Sequence, residues 1–214
     1  MTIQLTPRDY EILGSLTTAV RVMTVSQIGR GWWSSSTDPT TDARHRITRL
    51  CAAGFLRIAK VLAMPLPEIT APLLIWRPGE IEPDFGKLSW KARARWQQGA
   101  RQTRIVLASK RGARLFTGRS DPALSRHFQL THDLGVAEVF LAFRAQRPHL
   151  IPSWRGEVCY AHLRRNRKIP DAVITTSDLW PPLVAVEFAG AYSRERVRKF
   201  HFFCLQERLA YELW

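Results

Sequence analysis

Two carboxylates stand where strand-like segments begin and end, a pattern suited to phosphodiester chemistry. Asp171 follows Pro170 and precedes a short apolar run, and Glu187 ends the apolar segment that begins at Leu183. Carboxylates that converge from neighbouring strand ends can hold Mg²⁺ or Mn²⁺, which polarises a phosphate and activates water. The spacing therefore predicts a metal site with Asp171 and Glu187 as ligands, although a turn residue and a strand-end surface charge fit it as well.

A third carboxylate and a lysine would complete such a site. Glu157 lies on the preceding segment and is the candidate third ligand. A lysine can stabilise the negative charge that develops on a reacting phosphate. Lys199, on the basic segment after Glu187, is the preferred candidate, and Lys168 is a weaker one. His132 stands at the start of a strongly apolar helical pattern, which favours a helix-start or core histidine over a catalytic one.

The elements that would position a nucleic acid begin in the first third of the chain. Thr6-Pro7 and Thr24 are helix-start signals, and a third helix is predicted from Thr40 or Thr41 to Gly54. One side of this third helix is apolar and the other is basic, as a helix lying in the major groove requires. An ordinary solvated helix surface is the alternative. The predicted DNA-contacting residues of this helix are Arg44, His45, Arg46, Thr48 and Arg49.

Two strand-like runs follow the third helix, at Phe55 to Leu62 and Leu73 to Trp76. Prolines separate them, so we expect the two runs to pair as a hairpin. The order helix, helix, basic helix and hairpin is typical of a winged helix-turn-helix, and this order is more specific than any single element.

A basic stretch from Lys87 to Arg119 contains no acidic residue. It includes the candidate DNA-binding residues Arg93 and Arg95, with tryptophans interleaved among the basic residues. Such a stretch can follow a phosphate backbone and stack on bases. A solvated helix with buried tryptophans explains the same pattern equally well.

Bulk composition favours a nucleic-acid partner and a cytoplasmic location. The 32 Lys and Arg against 18 Asp and Glu give a net charge of +14, which attracts polyanions. No apolar run approaches the roughly 18 residues of a membrane helix, and no signal peptide is expected. The three cysteines are widely spaced among apolar neighbours, which indicates buried thiols in a reducing compartment.

These patterns together predict an α+β protein built from three regions. An N-terminal winged helix-turn-helix is expected over residues 1–80 and a basic connector over 81–122. An α/β domain over 123–214 would carry the carboxylates.

Several segments resemble known mobile-element proteins. Pro170-Asp171 and Val186-Glu187 resemble the PD-(D/E)xK nuclease signature. The order of the segments 104–112, 131–139 and 154–157 is similar to that of the replication-relaxation family of plasmids and integrative elements and of the related MobC-type relaxases. The resemblance covers most of the chain. It implies a winged helix joined to a restriction-endonuclease-like PD-(D/E)xK domain.

The resemblance also implies a function. Asp171, Glu187 and Glu157 would hold Mg²⁺ or Mn²⁺ for strand-specific DNA nicking in mobilisation or replication, and duplex DNA would be the main partner. Single-stranded DNA, a homodimer and mobilisation or replication proteins are further partners left open. The signature's lysine is replaced by Ala189, two residues after Glu187. The alternative to the enzyme is therefore a non-catalytic DNA-binding accessory factor or repressor on a degenerate nuclease fold.

Overall fold

The computed structural model describes residues 3–66, 69–96, 98–116, 127–163, 168–177 and 181–214. The chain contains both helices and strands, which confirms the predicted α+β class. The strands form one sheet of three strands and one of five. The expected boundary between residues 122 and 123 lies outside the described residues.

Three helices open the chain, and the first two begin at the expected signals Thr6 and Thr24, whereas the third is capped by Asp38, just before the expected start at Thr40 or Thr41. α1 (Pro7–Gly14) continues into a π-helical turn (Ser15–Ala19), and the short strand β1 (Met23–Thr24) leads to α2 (Val25–Trp32) and α3 (Pro39–Ala52). Thr6 and Thr24 form capping boxes with Asp9 and Gln27, which satisfy backbone N–H groups that the first helical turn leaves without partners.

The next elements are β2 (Leu56–Ala63), β3 (Leu74–Trp76), α4 (Phe85–Ala94), β4 (Arg101–Ala108) and the short α5 (Lys110–Ala113). β2 pairs with β4 along its full length, and β1 joins the other side of β4, so the three-stranded sheet has the order β1-β4-β2. The predicted hairpin between β2 and β3 was therefore wrong. β3 belongs to the five-stranded sheet, because its true partner lies far away in the sequence.

The C-terminal half begins with the long helix α6 (His127–Gln146), which starts earlier than expected and places His132 inside the helix. The strands β5 (Trp154–Gly156), β6 (Ala172–Ile174) and β7 (Val184–Glu187) then form an antiparallel meander. α7 (Arg194–Gln206) crosses to β8 (Ala210–Leu213), which is parallel to β7 and antiparallel to β3. The sheet order is β3-β8-β7-β6-β5.

One apolar core runs from the N-terminal helices through α6 to the five-stranded sheet. Directional contacts also join the two halves. The Gln27 side chain donates to the Leu134 carbonyl at 3.0 Å, and the Trp154 indole donates to the Ala19 carbonyl at 3.1 Å. Gly156 allows this approach, because a Cβ at that position would lie 2.3 Å from the Ala19 oxygen. In the part of the chain that is described, no helix has the length and apolar character needed to cross a bilayer.

Candidate functional site

Strand register brings Asp171 and Glu187 together. Ala172 of β6 pairs with Val186 of β7 in an antiparallel ladder, so the residues that flank this pair, Asp171 and Glu187, lie opposite each other. The Asp171 backbone N–H donates to Glu187 Oε2 at 3.3 Å. The sequence prediction that these two carboxylates would converge from neighbouring strand ends agrees with this geometry.

Asp171 is held by a histidine from α6. His132 Nε2 lies 2.8 Å from Asp171 Oδ1, and the Phe188 backbone N–H donates to Oδ2 at 2.8 Å. Burial alone would lower the pKa of His132, but Asp171, Glu187 and Asp133 outweigh burial and raise it to about 9. The imidazole is therefore charged at neutral pH and forms an ion pair with Asp171.

Glu187 is almost fully buried and has two side-chain partners on one oxygen. The Tyr192 hydroxyl donates to Oε1 at 2.7 Å, and Lys168 Nζ lies 3.3 Å from the same atom. The ammonium of Lys168 also lies over the Phe200 ring, 4.4 Å from its centroid. Burial raises the pKa of Glu187, and the negative charge of Asp171 raises it further.

Glu157 faces a different partner, which comes from the N-terminal half. Arg21 Nη2 lies 3.1 Å from the Glu157 carboxylate, and Nη1 lies 4.0 Å from Asp133. Burial raises the pKa of Asp133. A narrow cleft is lined by Arg21, Asp133, Glu157 and Asp171, so an arginine from the segment before β1 shares the cleft with three carboxylates.

The structure places the two candidate lysines differently. Lys199 lies on the outer face of α7, where its side chain is 74% exposed and pairs with Glu195 at 3.7 Å. The next residue, Phe200, is buried in the core and packs under Lys168, so the exposed Lys199 faces away from Glu187. Lys168, the weaker candidate from sequence, is the lysine that contacts Glu187.

Whether a divalent metal fits this site depends on the groups that the oxygens of Asp171 and Glu187 already contact. Within the described ranges, no group of three or more His, Cys, Asp or Glu side chains is arranged to hold a metal ion. Both oxygens of Asp171 and both of Glu187 already have donors from the protein. A metal bound to either carboxylate would compete with the cations His132 and Lys168, each of which lies against one oxygen. The described residues therefore show no preformed metal site, and Mg²⁺ or Mn²⁺ stays a prediction.

The outer face of α3 carries most of the expected DNA-contacting residues. Ala43, Ile47 and Leu50 are buried, as the amphipathic pattern predicts. The residues exposed on the opposite face are Arg44, His45, Thr48 and Arg49. The Thr48 hydroxyl donates to the Arg44 carbonyl at 2.8 Å, within the helix.

Arg46 is turned inward, unlike its neighbours. Its Nε donates to Asp9 Oδ1 at 2.8 Å, and its Nη2 donates to Asp9 Oδ2 and, at 2.9 Å, to the Gln4 carbonyl. Asp9 is fully buried. Arg46 thus joins α3 to α1. The sequence analysis expected Arg46 to contact DNA and did not include this structural contact.

The β2–β4 pair adds a basic surface beside the helices. Lys60 and Arg104 are directly opposite each other in the register, and both are exposed. Like charges on paired strand positions are destabilising unless a counter-charge is present. Among the described residues, neither side chain has an acidic partner in an ion pair, so this position suits an anion from outside the protein.

The remaining expected contacts, Arg93 and Arg95, lie at the C-terminal end of α4. Arg93 is exposed, whereas Arg95 is half-buried, and burial lowers the pKa of its guanidinium. α4 packs against α7, so these residues stand on a different part of the molecule from α3.

Sequence reasoning missed Arg21 and Tyr192 as parts of the site, and it ranked Lys168 below Lys199. Lys168 stands three positions before Asp171, which is the one local signal that could have raised its rank. Arg21 and Tyr192 carry no motif, because their positions depend on how the two halves pack.

The fold establishes a mixed α+β protein with a three-stranded and a five-stranded sheet. No protein-family model matches the chain, and neither a curated protein nor a solved structure matches it.

Proposed function

We propose that this protein binds double-stranded DNA through a winged-helix surface formed by α3 and the β2–β4 strands. The carrying observation is the exposed basic face of α3, the last of three capped helices that lie beside a sheet of order β1-β4-β2. A helix presented in this way can enter the major groove, while basic strand residues contact phosphates. The net charge of +14 supports a polyanionic partner.

The C-terminal half supports the second part of the proposal, a nuclease-type scaffold. Its order is α6, β5, β6, β7, α7, β8, with an antiparallel meander followed by a parallel crossover, and this order is the basis for proposing a PD-(D/E)xK-like domain. The carboxylates at its centre are neutralised by His132 and Lys168. This pairing favours the non-catalytic alternative, in which the domain is a binding scaffold and the protein is an accessory factor or repressor.

Duplex binding is tested by fluorescence anisotropy with a labelled duplex over a series of salt concentrations. Arg44→Ala/Arg49→Ala removes two charges from the α3 face, and the matched control Arg198→Ala/Lys199→Ala removes two from α7. If both arginines contact phosphates, the salt dependence becomes shallower in the first variant. The magnitude of the slope of log K against log salt decreases by about 2, because each contact contributes about 0.9. The control should keep the wild-type slope. Equal losses in both variants would contradict a specific surface on α3.

Metal-dependent nicking is the second candidate function, and one observation favours it. Glu187 contacts both Asp171 and Lys168 near the adjoining ends of two strands, which gives the acidic and basic groups of a nuclease site. The resemblance to replication-relaxation proteins makes a plasmid origin the substrate to test and mobilisation or replication proteins the partners.

The nicking test uses supercoiled plasmid with Mg²⁺, Mn²⁺ or a chelator. Asp171→Asn and Glu187→Gln are compared with Glu195→Gln, which changes an exposed carboxylate on α7. Metal-dependent nicking that is lost only in the first two variants would establish the enzyme. Duplex binding without nicking under any condition would leave the binding proposal standing alone.

A further inference from the structure

The tryptophan on the outer face of α4 differs from the others. Trp90 is 70% exposed, whereas Trp32, Trp76, Trp154 and Trp214 are buried, and it is the most exposed tryptophan of the described residues. Indole is among the largest apolar surfaces a side chain offers, so leaving it in water forgoes substantial stabilisation. An indole held on the surface of a regular helix is therefore available to a partner.

The packing of α4 fixes the direction of this side chain. Asp84 caps the helix by accepting from the Lys87 backbone N–H at 2.9 Å, and Phe85 and Leu88 are buried against α7. The Ser89 hydroxyl donates to the Tyr192 carbonyl at 2.9 Å and holds the helix in this orientation. Trp90 is thus presented from a rigid element, which lowers the entropy that a partner must overcome on binding.

The same face of α4 is basic. Lys87, Trp90 and Lys91 share one side of the helix, because residues three and four apart are neighbours on its surface. Arg93 lies next to them and all three cations are exposed. No acidic side chain among the described residues forms an ion pair with Lys87, Lys91 or Arg93. The partner of this face should therefore have a flat apolar group that can lie against the indole and negative charges beside that group that can contact the cations.

We propose that the α4 face formed by Lys87, Trp90, Lys91 and Arg93 binds single-stranded nucleic acid. A base stacks on the Trp90 indole, and the cations contact the flanking phosphates. In duplex DNA the faces of the bases are covered by their neighbours, so an indole on a helix surface selects the unpaired strand. The proposal stands apart from duplex binding by α3, since it uses neither the α3 face nor the carboxylates.

The experiment measures anisotropy of a short fluorescein-labelled oligothymidine and of a labelled duplex with the full-length protein. Trp90→Ala should weaken oligothymidine binding about tenfold, and Trp90→Phe should keep most of the affinity because a phenyl ring still stacks. Lys87→Ala/Lys91→Ala should weaken binding and reduce its salt dependence. Duplex affinity should change little in Trp90→Ala. The matched controls are Tyr10→Ala, an exposed aromatic on α1, and Arg198→Ala/Lys199→Ala.

Tryptophan fluorescence gives an independent readout. Saturating oligothymidine should quench part of the wild-type emission, and Trp90→Phe should lose this quenching. Unchanged oligothymidine affinity in Trp90→Ala would overturn the proposal, as would an equal loss for duplex and single strand. Binding of anionic vesicles that depends on Trp90, without a change in oligothymidine affinity, would overturn it in favour of a membrane surface. Failure of Arg44→Ala/Arg49→Ala to affect duplex binding would contradict only the α3 proposal.

Discussion

Replacing Arg46 by alanine should damage the fold far more than it damages DNA contacts. The guanidinium is 16% exposed and makes hydrogen bonds to both oxygens of Asp9, a carboxylate with no exposed surface. Removing one partner of a buried ion pair leaves an uncompensated charge and costs about 3–5 kcal/mol. We therefore expect Arg46→Ala to lower the free energy of unfolding by that amount at neutral pH.

The pH dependence of this loss follows from Asp9. Burial by itself would raise the pKa of Asp9, but hydrogen bonds from Arg46 and Thr6 hold it below its ordinary value of 3.8. In the wild type this stabilisation is present above pH 3.8 and is lost as the pH falls through the lowered pKa. In the Arg46→Ala variant, burial should raise the pKa of Asp9. Acidification then protonates Asp9 and removes its buried charge. The stability gap between the two proteins should therefore narrow as the solution is made acidic.

Chemical denaturation at several pH values measures the gap directly. Arg49→Ala, one turn along the exposed face of α3, is the matched control and should change the free energy of unfolding by less than about 0.5 kcal/mol. Asp9→Asn/Arg46→Ala should recover part of the lost stability, because neither charge is left buried. A fully stable Arg46→Ala protein that had lost duplex binding would refute the structural role and return Arg46 to the DNA surface.

Three other substitutions test the packing of the candidate site. His132→Gln should lose about 3 kcal/mol of stability at low pH, because the pKa of His132 is raised from 6.5 to about 9. In denaturation curves, this difference from wild type should be complete below pH 6.5 and vanish as the pH rises through 9. Gly135→Ala would place a Cβ 2.0 Å from the Phe188 ring, so thermal unfolding should show a loss of about 1–3 kcal/mol from overpacking. Arg21→Ala should lower the free energy of unfolding more than exposed Arg198→Ala does, since it leaves Glu157 and the buried Asp133 without their shared cation. Equal stabilities of the two variants would contradict this structural role of Arg21.

Local sequence patterns predicted the helices and strands well, because those elements depend on neighbouring residues. The start signals at Thr6 and Thr24 became capping boxes, and the buried side of α3 followed its apolar spacing. The amphipathic pattern could not separate Arg46 from Arg49, since the difference arises from Asp9 on another helix. That distinction depends on how α1 packs against α3.

Strand partners and site neighbours were harder to predict, because they are set by contacts between distant residues. β2 and β3 are consecutive, which made a hairpin the natural expectation, yet each pairs with a strand that comes later in the chain. The convergence of Asp171 and Glu187 was predictable. Asp171 stands before one strand and Glu187 ends the next, and these two ends are adjacent when the strands pair in antiparallel fashion. The contact of Lys168 with Glu187 depends on the loop before β6, for which the sequence carries no periodic signal.

The excursion of the chain between β2 and β4 affects the order in which the protein can fold during synthesis. β4 completes the three-stranded sheet soon after β2, but β3 has to wait for β8, far later in the chain. Domains generally fold as the chain emerges, and unpaired strand edges are prone to aggregation while they wait. In the nascent chain, β3 therefore stays unpaired until β8 has been synthesised. Slower translation of the segment between the two strands would lengthen the time for which chaperones can bind the unpaired edge of β3.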